Sequence, residues 1–223
     1  ASLIRDDTVI LSLQNGLGVD RHIRAALQDG GVFLRGITQF GAIFDRPGRV
    51  RFMVRGFTLI ERHERSARIA DTLNAAGLDC RISPDIAADV WRKLIYNCVV
   101  NPITAMVGSR VGGITDPRLA PVKRIVIDEC VAVAAAEGIT FQDDFMHEID
   151  TVFAGSPNIV SMLQDLRRGR ATEIDYMNGA VAALAETHGI AAPANSGLTS
   201  IIKAMERAGG SLFPKEVLEP EAV

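Results

Sequence analysis

The chain has 223 residues, 48% hydrophobic and 23% charged, with a formal net charge of −3. That is apolar material for one large domain or two small ones, and the mild negative charge leaves no electrostatic footprint for nucleic acid or an anionic membrane. No apolar run reaches the roughly 18 residues of a membrane-spanning helix, and Cys80, Cys98 and Cys130 are isolated in apolar surroundings, which fits reduced thiols of a cytoplasmic protein rather than a disulfide framework or a metal pair.

The first residues, Ala-Ser-Leu-Ile-Arg-Asp-Asp, are neither a signal peptide nor an initiating methionine, so the chain is expected to start in mid-domain. Thr8 to Leu13 is a short continuous apolar run, the pattern of a buried parallel strand. It ends in Gln14-Asn15-Gly16-Leu17-Gly18 and is followed by a helical pattern from Val19 to Gln28. Val32 to Phe40 reads as a second strand, and Val50–Val54 with Phe57–Glu61 as a hairpin-like pair around Arg55-Gly56. A helix from Arg65 to Ala76, capped by Gly77, precedes a last short strand from Asp79 to Ile82. Strands alternating with helices indicate an α/β layer.

The character changes after Ser83-Pro84-Asp85, and the domain boundary is placed there: residues 1–84 and residues 85–223. Asp85 to Val100 is helical and continues, kinked, toward Gly108. Pro117–Ala136, Gln142–Phe153, Ser161–Arg170, Glu173–His188 and Gly197–Ala208 complete an almost purely helical second half, with an irregular tail after Ser211.

Within the first of these helices, Lys93, Asn97 and Asn101 recur every four residues on one slowly drifting face. Trp91, Leu94, Ile95, Val99 and Val100 are expected to bury the rest. An ammonium and two amides on the wall of an apolar helix are costly unless something polar faces them. Pro102 has no N–H for the Cys98 carbonyl, so backbone polarity is freed beside these side chains. Gly16-x-Gly18 lies between strand and helix, but the third glycine position of a dinucleotide fingerprint holds Arg21, and no acidic residue closes a second strand. Asn15 is the more informative residue, since open α/β sheets bind ligands at the carboxyl ends of their strands. Thr172-Glu173-Ile174-Asp175 looks like a helix start with a capping box, backed by a buried stripe of Ile174, Met177, Val181, Leu184 and His188. Ser161 looks like an N-cap. The four histidines lack triad order or metal-ligand spacing, and Arg167, Arg168 and Arg170 read as a solvated helix end that a nearby phosphate could use.

Taken together, Gln14-Asn15-Gly16-x-Gly18, Trp91-Arg92-Lys93-x-x-x-Asn97-x-x-x-Asn101-Pro102-x-Thr104-Ala105, Ser161-Met162-Leu163-Gln164-Asp165, Thr172-Glu173-Ile174-Asp175-Tyr176-x-Asn178-Gly179 and Gly189-Ile190-x-x-Pro193-x-Asn195 resemble ketopantoate reductase (2-dehydropantoate 2-reductase). The resemblance extends over nearly the whole chain. It implies an α/β fold class: an incomplete Rossmann-like dinucleotide-binding domain in 1–84, then an all-helical substrate domain in 85–223 of the 6-phosphogluconate dehydrogenase C-terminal type. It further implies NADPH as cofactor, a small-molecule 2-oxo acid as substrate, the reaction of pantothenate and coenzyme A biosynthesis, no metal, and room for a homodimer. Carried over by motif, Lys93 becomes the general acid, Glu173 the carboxylate that binds the substrate hydroxyl, Asn97, Asn101 and Ser161 the substrate-site lining, and Asn15 a neighbour of the nicotinamide. The family's glycine-rich nucleotide loop should precede Asn15 and is not in the sequence, so either an incomplete reductase or one that has lost cofactor binding is expected, the former being preferred. The chain by itself is expected to bind NADPH weakly or not at all. Two rivals stand beside this reading: a paralogous reductase of another 2-oxo acid, and a non-catalytic helical interaction or dimerisation module.

Overall fold

The computed structural model describes residues 4–27 and 30–209. The expected helix end at Gln28, the irregular tail and the first three residues lie outside them. The chain divides into two compact units, Ala1–Lys93 and Leu94–Val223.

The first unit is built from two strand–helix–strand repeats. β1 (Val9–Ser12) runs parallel to β2 (Val32–Thr38), with Val9 opposite Val32 and Ser12 opposite Arg35. Parallel neighbours need a crossover, and α1 (Val19–Leu27) supplies it, its Arg24 guanidinium lying 4.5 Å from the centre of the Phe33 ring. β5 (Thr58–Ile60), α2 (Ser66–Ala75) and β6 (Cys80–Ile82) repeat the arrangement. β2 and β5 pair antiparallel, giving the strand order β1-β2-β5-β6. Ile60, Ala70 and Cys80 form a core that Leu11, Ile69, Leu73 and Ile82 extend. α2 closes as the sequence suggests: Gly77 N–H donates to Asn74 O at 2.9 Å and Leu78 N–H to Leu73 O at 3.0 Å, the paired bonds of a Schellman ending.

The hairpin expected around Arg55-Gly56 is not formed. β4 (Arg49–Val54) instead turns back through Pro47-Gly48 onto β3 (Gly41–Arg46), making a separate two-stranded ribbon, while β5 joins the main sheet. Pro-Gly is the stronger turn dipeptide, its glycine taking φ +77° without a side-chain penalty. Gly56 has another duty. A Cβ there would fall 2.5 Å from the Gln39 carbonyl oxygen, so the chain passes the end of β2 only because this residue has none.

α3 (Ile86–Val107) begins in the first unit and ends in the second, helical through Pro102. Among the described residues the second unit otherwise holds α4 (Ala120–Ala136), α5 (Phe145–Phe153), α6 (Ser161–Arg167), α7 (Asn178–His188) and α8 (Pro193–Ala208), with 3₁₀ turns at Val111–Thr115, Pro117–Leu119 and Ile174–Tyr176. α8 starts four residues earlier than the sequence suggested, because Pro193 sits at its first turn, where a missing N–H costs nothing. Buried Leu94, Ile95, Cys98 and Val99 on α3 and Val126, Cys130 and Val133 on α4 form the interior. The buried Lys123 ammonium on α4 pairs with Asp150 on α5, and the Tyr96 hydroxyl on α3 donates to Glu148 on α5. All three cysteines are free and buried. Burial lifts the Cys98 thiol well above its ordinary range, and the neighbouring Cys130 adds to the effect. Among the described residues no helix is long and apolar enough to cross a membrane, and no group of three or more His, Cys, Asp or Glu side chains could hold a metal ion.

Candidate active site

In the first unit Asn15 follows the end of β1, and Lys93 bonds the end of β2. Lys93 is half-buried on α3, next to the buried Trp91, and its Nζ donates to the Thr38 carbonyl, the last of β2, at 2.6 Å. A charge-assisted bond to a strand-end carbonyl fixes where the ammonium stands. The Thr38 hydroxyl beside it is buried with no hydrogen-bond partner among the described residues.

Asn15 is half-buried in the turn that follows β1. Gly16 and Gly18 hold that turn at φ +82° and +83°, the left-handed region that a side chain disfavours. Within it the Ser12 hydroxyl donates to the Gln14 side-chain oxygen. A residue that the sequence reading missed anchors the turn: Arg35 of β2 donates from Nη2 to Gly16 O at 2.7 Å. Its backbone N–H donates to Glu61 at 2.9 Å, and its Nη1 is buried with no partner among the described residues. Burial lowers the Arg35 pKa, against the opposing attraction of Asp20.

In the second unit α3 continues the lysine's face. Asn97 is half-buried, and Asn101 is 8% exposed with its Nδ2 3.5 Å from the Met177 sulfur. Pro102 leaves the Cys98 carbonyl without its helical donor, and the side chain of Asn178 supplies one at 3.0 Å. Asn178 Nδ2 also donates to Asn195 Oδ1 at 2.9 Å, and Asn195 Nδ2 donates to Glu129 Oε2 at 2.7 Å. Glu129 further accepts the Ala194 and Asn195 backbone N–H groups at 2.8 and 2.9 Å, capping α8 from α4. Asn178 and Asn195 stand in the sequence motifs, but their bonding and the part of Glu129 in it were not read from the sequence, although the vacant Cys98 acceptor was.

Ser161 and Glu173 are the remaining expected site residues. Ser161 is exposed at the first position of α6; Val160 holds the N-cap position, so the expected Ser161 cap is corrected. Glu173 is half-buried, immediately before the 3₁₀ turn Ile174–Tyr176. The capping box and the continuous helix expected from Glu173 to His188 are also corrected. Met177, at φ −108° and ψ −103°, breaks the helix, and α7 restarts at Asn178. Glu206 of α8 takes the role proposed for the box, accepting the Thr172 N–H at 2.8 Å and its hydroxyl at 2.7 Å. The restart rotates the buried face: Ile174, Met177 and Val181 are buried as expected, but Ala185 follows them, Leu184 is half-buried and His188 is exposed beside Glu137. Of the basic trio, Arg168 and Arg170 are exposed and Arg167 is half-buried. Asn15 and Lys93 therefore belong to the first unit, and Asn97, Asn101, Ser161 and Glu173 to the second.

Two family models match the chain, and the second of them takes in Lys93 together with Asn97, Asn101, Ser161 and Glu173. The family model described as "Ketopantoate reductase PanE/ApbA" matches residues 1–65, and "Ketopantoate reductase PanE/ApbA C terminal" matches residues 85–206. The chain is 37% identical over 211 residues to a 2-dehydropantoate 2-reductase of Pyrococcus horikoshii, covering 92% of this chain and 69% of that protein. Among solved structures it is similar to a PanE/ApbA family ketopantoate reductase from Ralstonia eutropha, with a TM-score of 0.81, 32% identity, and coverage of 90% of this chain and 67% of that one. It is also similar to D-mandelate dehydrogenase in a ternary structure with NADH and anilino(oxo)acetate, with a TM-score of 0.84, 27% identity, and coverage of 93% and 70%.

Proposed function

Because the chain belongs to the ketopantoate reductase family, we propose that it carries the NADPH-dependent reduction of 2-dehydropantoate to pantoate, with nucleotide contacts in residues 1–84 and substrate contacts in 85–223. The observation that carries the reading is Lys93, a half-buried ammonium held on the Thr38 carbonyl at 2.6 Å, in a chain whose curated relatives are 2-dehydropantoate 2-reductases.

The turn after β1 fits the nicotinamide end of such a cofactor, since two left-handed glycines and the Arg35 anchor hold Asn15 at a strand's carboxyl end. The bound cofactor supplies the hydride. Lys93 does the protein's share of the chemistry. The C2 oxygen of the 2-oxo acid gains negative charge as its carbon is reduced, and a positioned ammonium both stabilises that charge and gives up a proton to it. Arginine could do only the first. Glu173 accepts the substrate hydroxyl's hydrogen bond, as its motif position in the family implies. Asn97, Asn101 and Ser161 offer neutral donors to the rest of the substrate, which discriminate a polar acid without competing for the proton.

The test is steady-state kinetics of the full-length gene product with ketopantoate and NADPH, with pantoate identified as product. The likeness to D-mandelate dehydrogenase with NADH supports a second reading, reduction of a different 2-oxo acid. A panel of 2-oxo acids with NADPH and with NADH separates the two by kcat/KM. Preference for ketopantoate supports the first, preference for an aryl or alkyl 2-oxo acid the second, and turnover of none refutes both.

A further inference from the structure

Pro102 removes the N–H that would bond the Cys98 carbonyl. A buried carbonyl left without a donor is destabilising, and the fold answers with a side chain from another helix. Asn178 and Asn195 are both 0% exposed. Their orientations form a one-way relay. The Glu129 carboxylate is an acceptor only, so it fixes Asn195 with Nδ2 toward itself at 2.7 Å. Asn195 must then turn its Oδ1 to Asn178, which answers with Nδ2 at 2.9 Å. The same Nδ2 reaches Cys98 O at 3.0 Å. Turning the Asn178 amide over would set its oxygen against two acceptors.

The position is there for its donors. Asn178 Oδ1 is buried with no partner among the described residues, an unfavourable state that an apolar side chain of similar size would avoid. The neighbouring Met177 meets Asn101 through its sulfur, so consecutive residues at the start of α7 hold both sides of the turn that Pro102 loosens. We propose that Asn178 is a positioning residue for the substrate-facing turn of α3: its amide replaces the hydrogen bond that Pro102 deletes and thereby fixes where Asn97 and Asn101 present their amides. The inference rests on the proposed function for what those amides bind, but not for the replacement bond itself.

The decisive experiment is a double-mutant cycle in the full-length gene product with Asn178→Ala, Pro102→Ala and the pair, read by thermal unfolding, by hydrogen exchange over residues 94–106, and by KM and kcat for ketopantoate. Asn178→Ala is expected to lower the unfolding midpoint by about 3–8 °C and to raise KM on the order of tenfold or more, with a smaller change in kcat. Pro102→Ala returns an N–H to the Cys98 carbonyl, so in that background Asn178→Ala should deprotect the α3 turn less and raise KM at least about threefold less. An equal effect of Asn178→Ala in both backgrounds overturns the proposal, as does a lowered midpoint with KM and exchange over 94–106 unchanged. If Asn178→Ala does not fold, Asn178→Leu, an apolar side chain of similar size that removes the donors without leaving a cavity, takes its place in the same cycle. If the wild type reduces no 2-oxo acid, the functional reading falls, and exchange over 94–106 still decides between a replacement bond and ordinary core packing.

Discussion

Replacing Glu129 should show how much of the helical unit depends on one carboxylate. Its side chain is 7% exposed and accepts three hydrogen bonds, from Ala194 N–H at 2.8 Å, Asn195 N–H at 2.9 Å and Asn195 Nδ2 at 2.7 Å. Pro193 has no N–H to give, so these two backbone donors are the first of α8, and the carboxylate also sits at the positive end of that helix. Hydrogen bonds to a charged group contribute about 1.5–3 kcal/mol each, and loss of an N-cap costs about 0.5–2 kcal/mol. The three bonds share one carboxylate and do not add, so Glu129→Ala is expected to cost about 3–5 kcal/mol. At roughly 2–4 °C per kcal/mol that is a midpoint lowered by about 6–20 °C. Glu129→Gln keeps the volume and one acceptor, so about half the loss is expected. Calorimetry gives the midpoints, and hydrogen exchange at the Ala194 and Asn195 amides reports whether the damage starts at this cap. A loss under about 1 kcal/mol for Glu129→Ala, or unchanged exchange at those two amides, would refute the reasoning, because it would mean that water or another group already serves these donors.

Lys93→Ala in the full-length gene product should lower kcat on the order of 10²–10⁴-fold with little change in substrate affinity, while Glu173→Ala should raise KM as well. Full activity in Lys93→Arg would leave the lysine a positioning role only. Arg35→Met should raise KM for the nicotinamide cofactor more than KM for the 2-oxo acid, since it frees the Gly16 carbonyl in the turn that carries Asn15; equal changes in both would count against that anchor. Glu206 gives a pH dependence: burial pushes its pKa up, but the hydrogen bonds from Thr172 and Lys203 outweigh that and hold it below the ordinary carboxylate value. A depressed folded pKa contributes stability that is present above the unfolded value of about 4.3 and lost as pH falls through the folded one. The gap in unfolding midpoint between wild type and Glu206→Gln should therefore be full above about pH 5 and close on acidification, and a gap independent of pH would contradict this.

Local order was legible in the sequence wherever a single residue type settles the backbone. Gly77 ends α2, the apolar residues around Lys93 bury α3, and the repeat of strand and helix in the first unit gives its parallel pairs. Register and partner choice were not. Val50–Val54 is apolar enough to pair on either side, and two turn dipeptides competed for it. Pro47-Gly48 won, because Gly56 was already committed to a backbone approach that no sequence pattern announces. The Thr172–Asp175 segment fails for a related reason. A capping box is a local answer to orphan donors, and here Glu206, 34 residues from Thr172, answers instead.

The candidate site shows where that limit lies. That Lys93, Asn97 and Asn101 share a helix face could be read from spacing because a helix converts sequence distance into direction, while their proposed roles came from the family motif. Pro102 could be read as creating a vacancy at Cys98, since a missing N–H is a covalent fact. What fills the vacancy could not, because it comes 80 residues away in sequence, from a helix whose start is set by the break at Met177. A sequence thus states a demand for a hydrogen bond more clearly than it states the supplier. The same holds for Glu129 and Arg35, whose partners are backbone groups in distant turns. Residues that touch substrate carry their chemistry in their type, whereas residues that hold them in place carry it only in a position that the fold must first create.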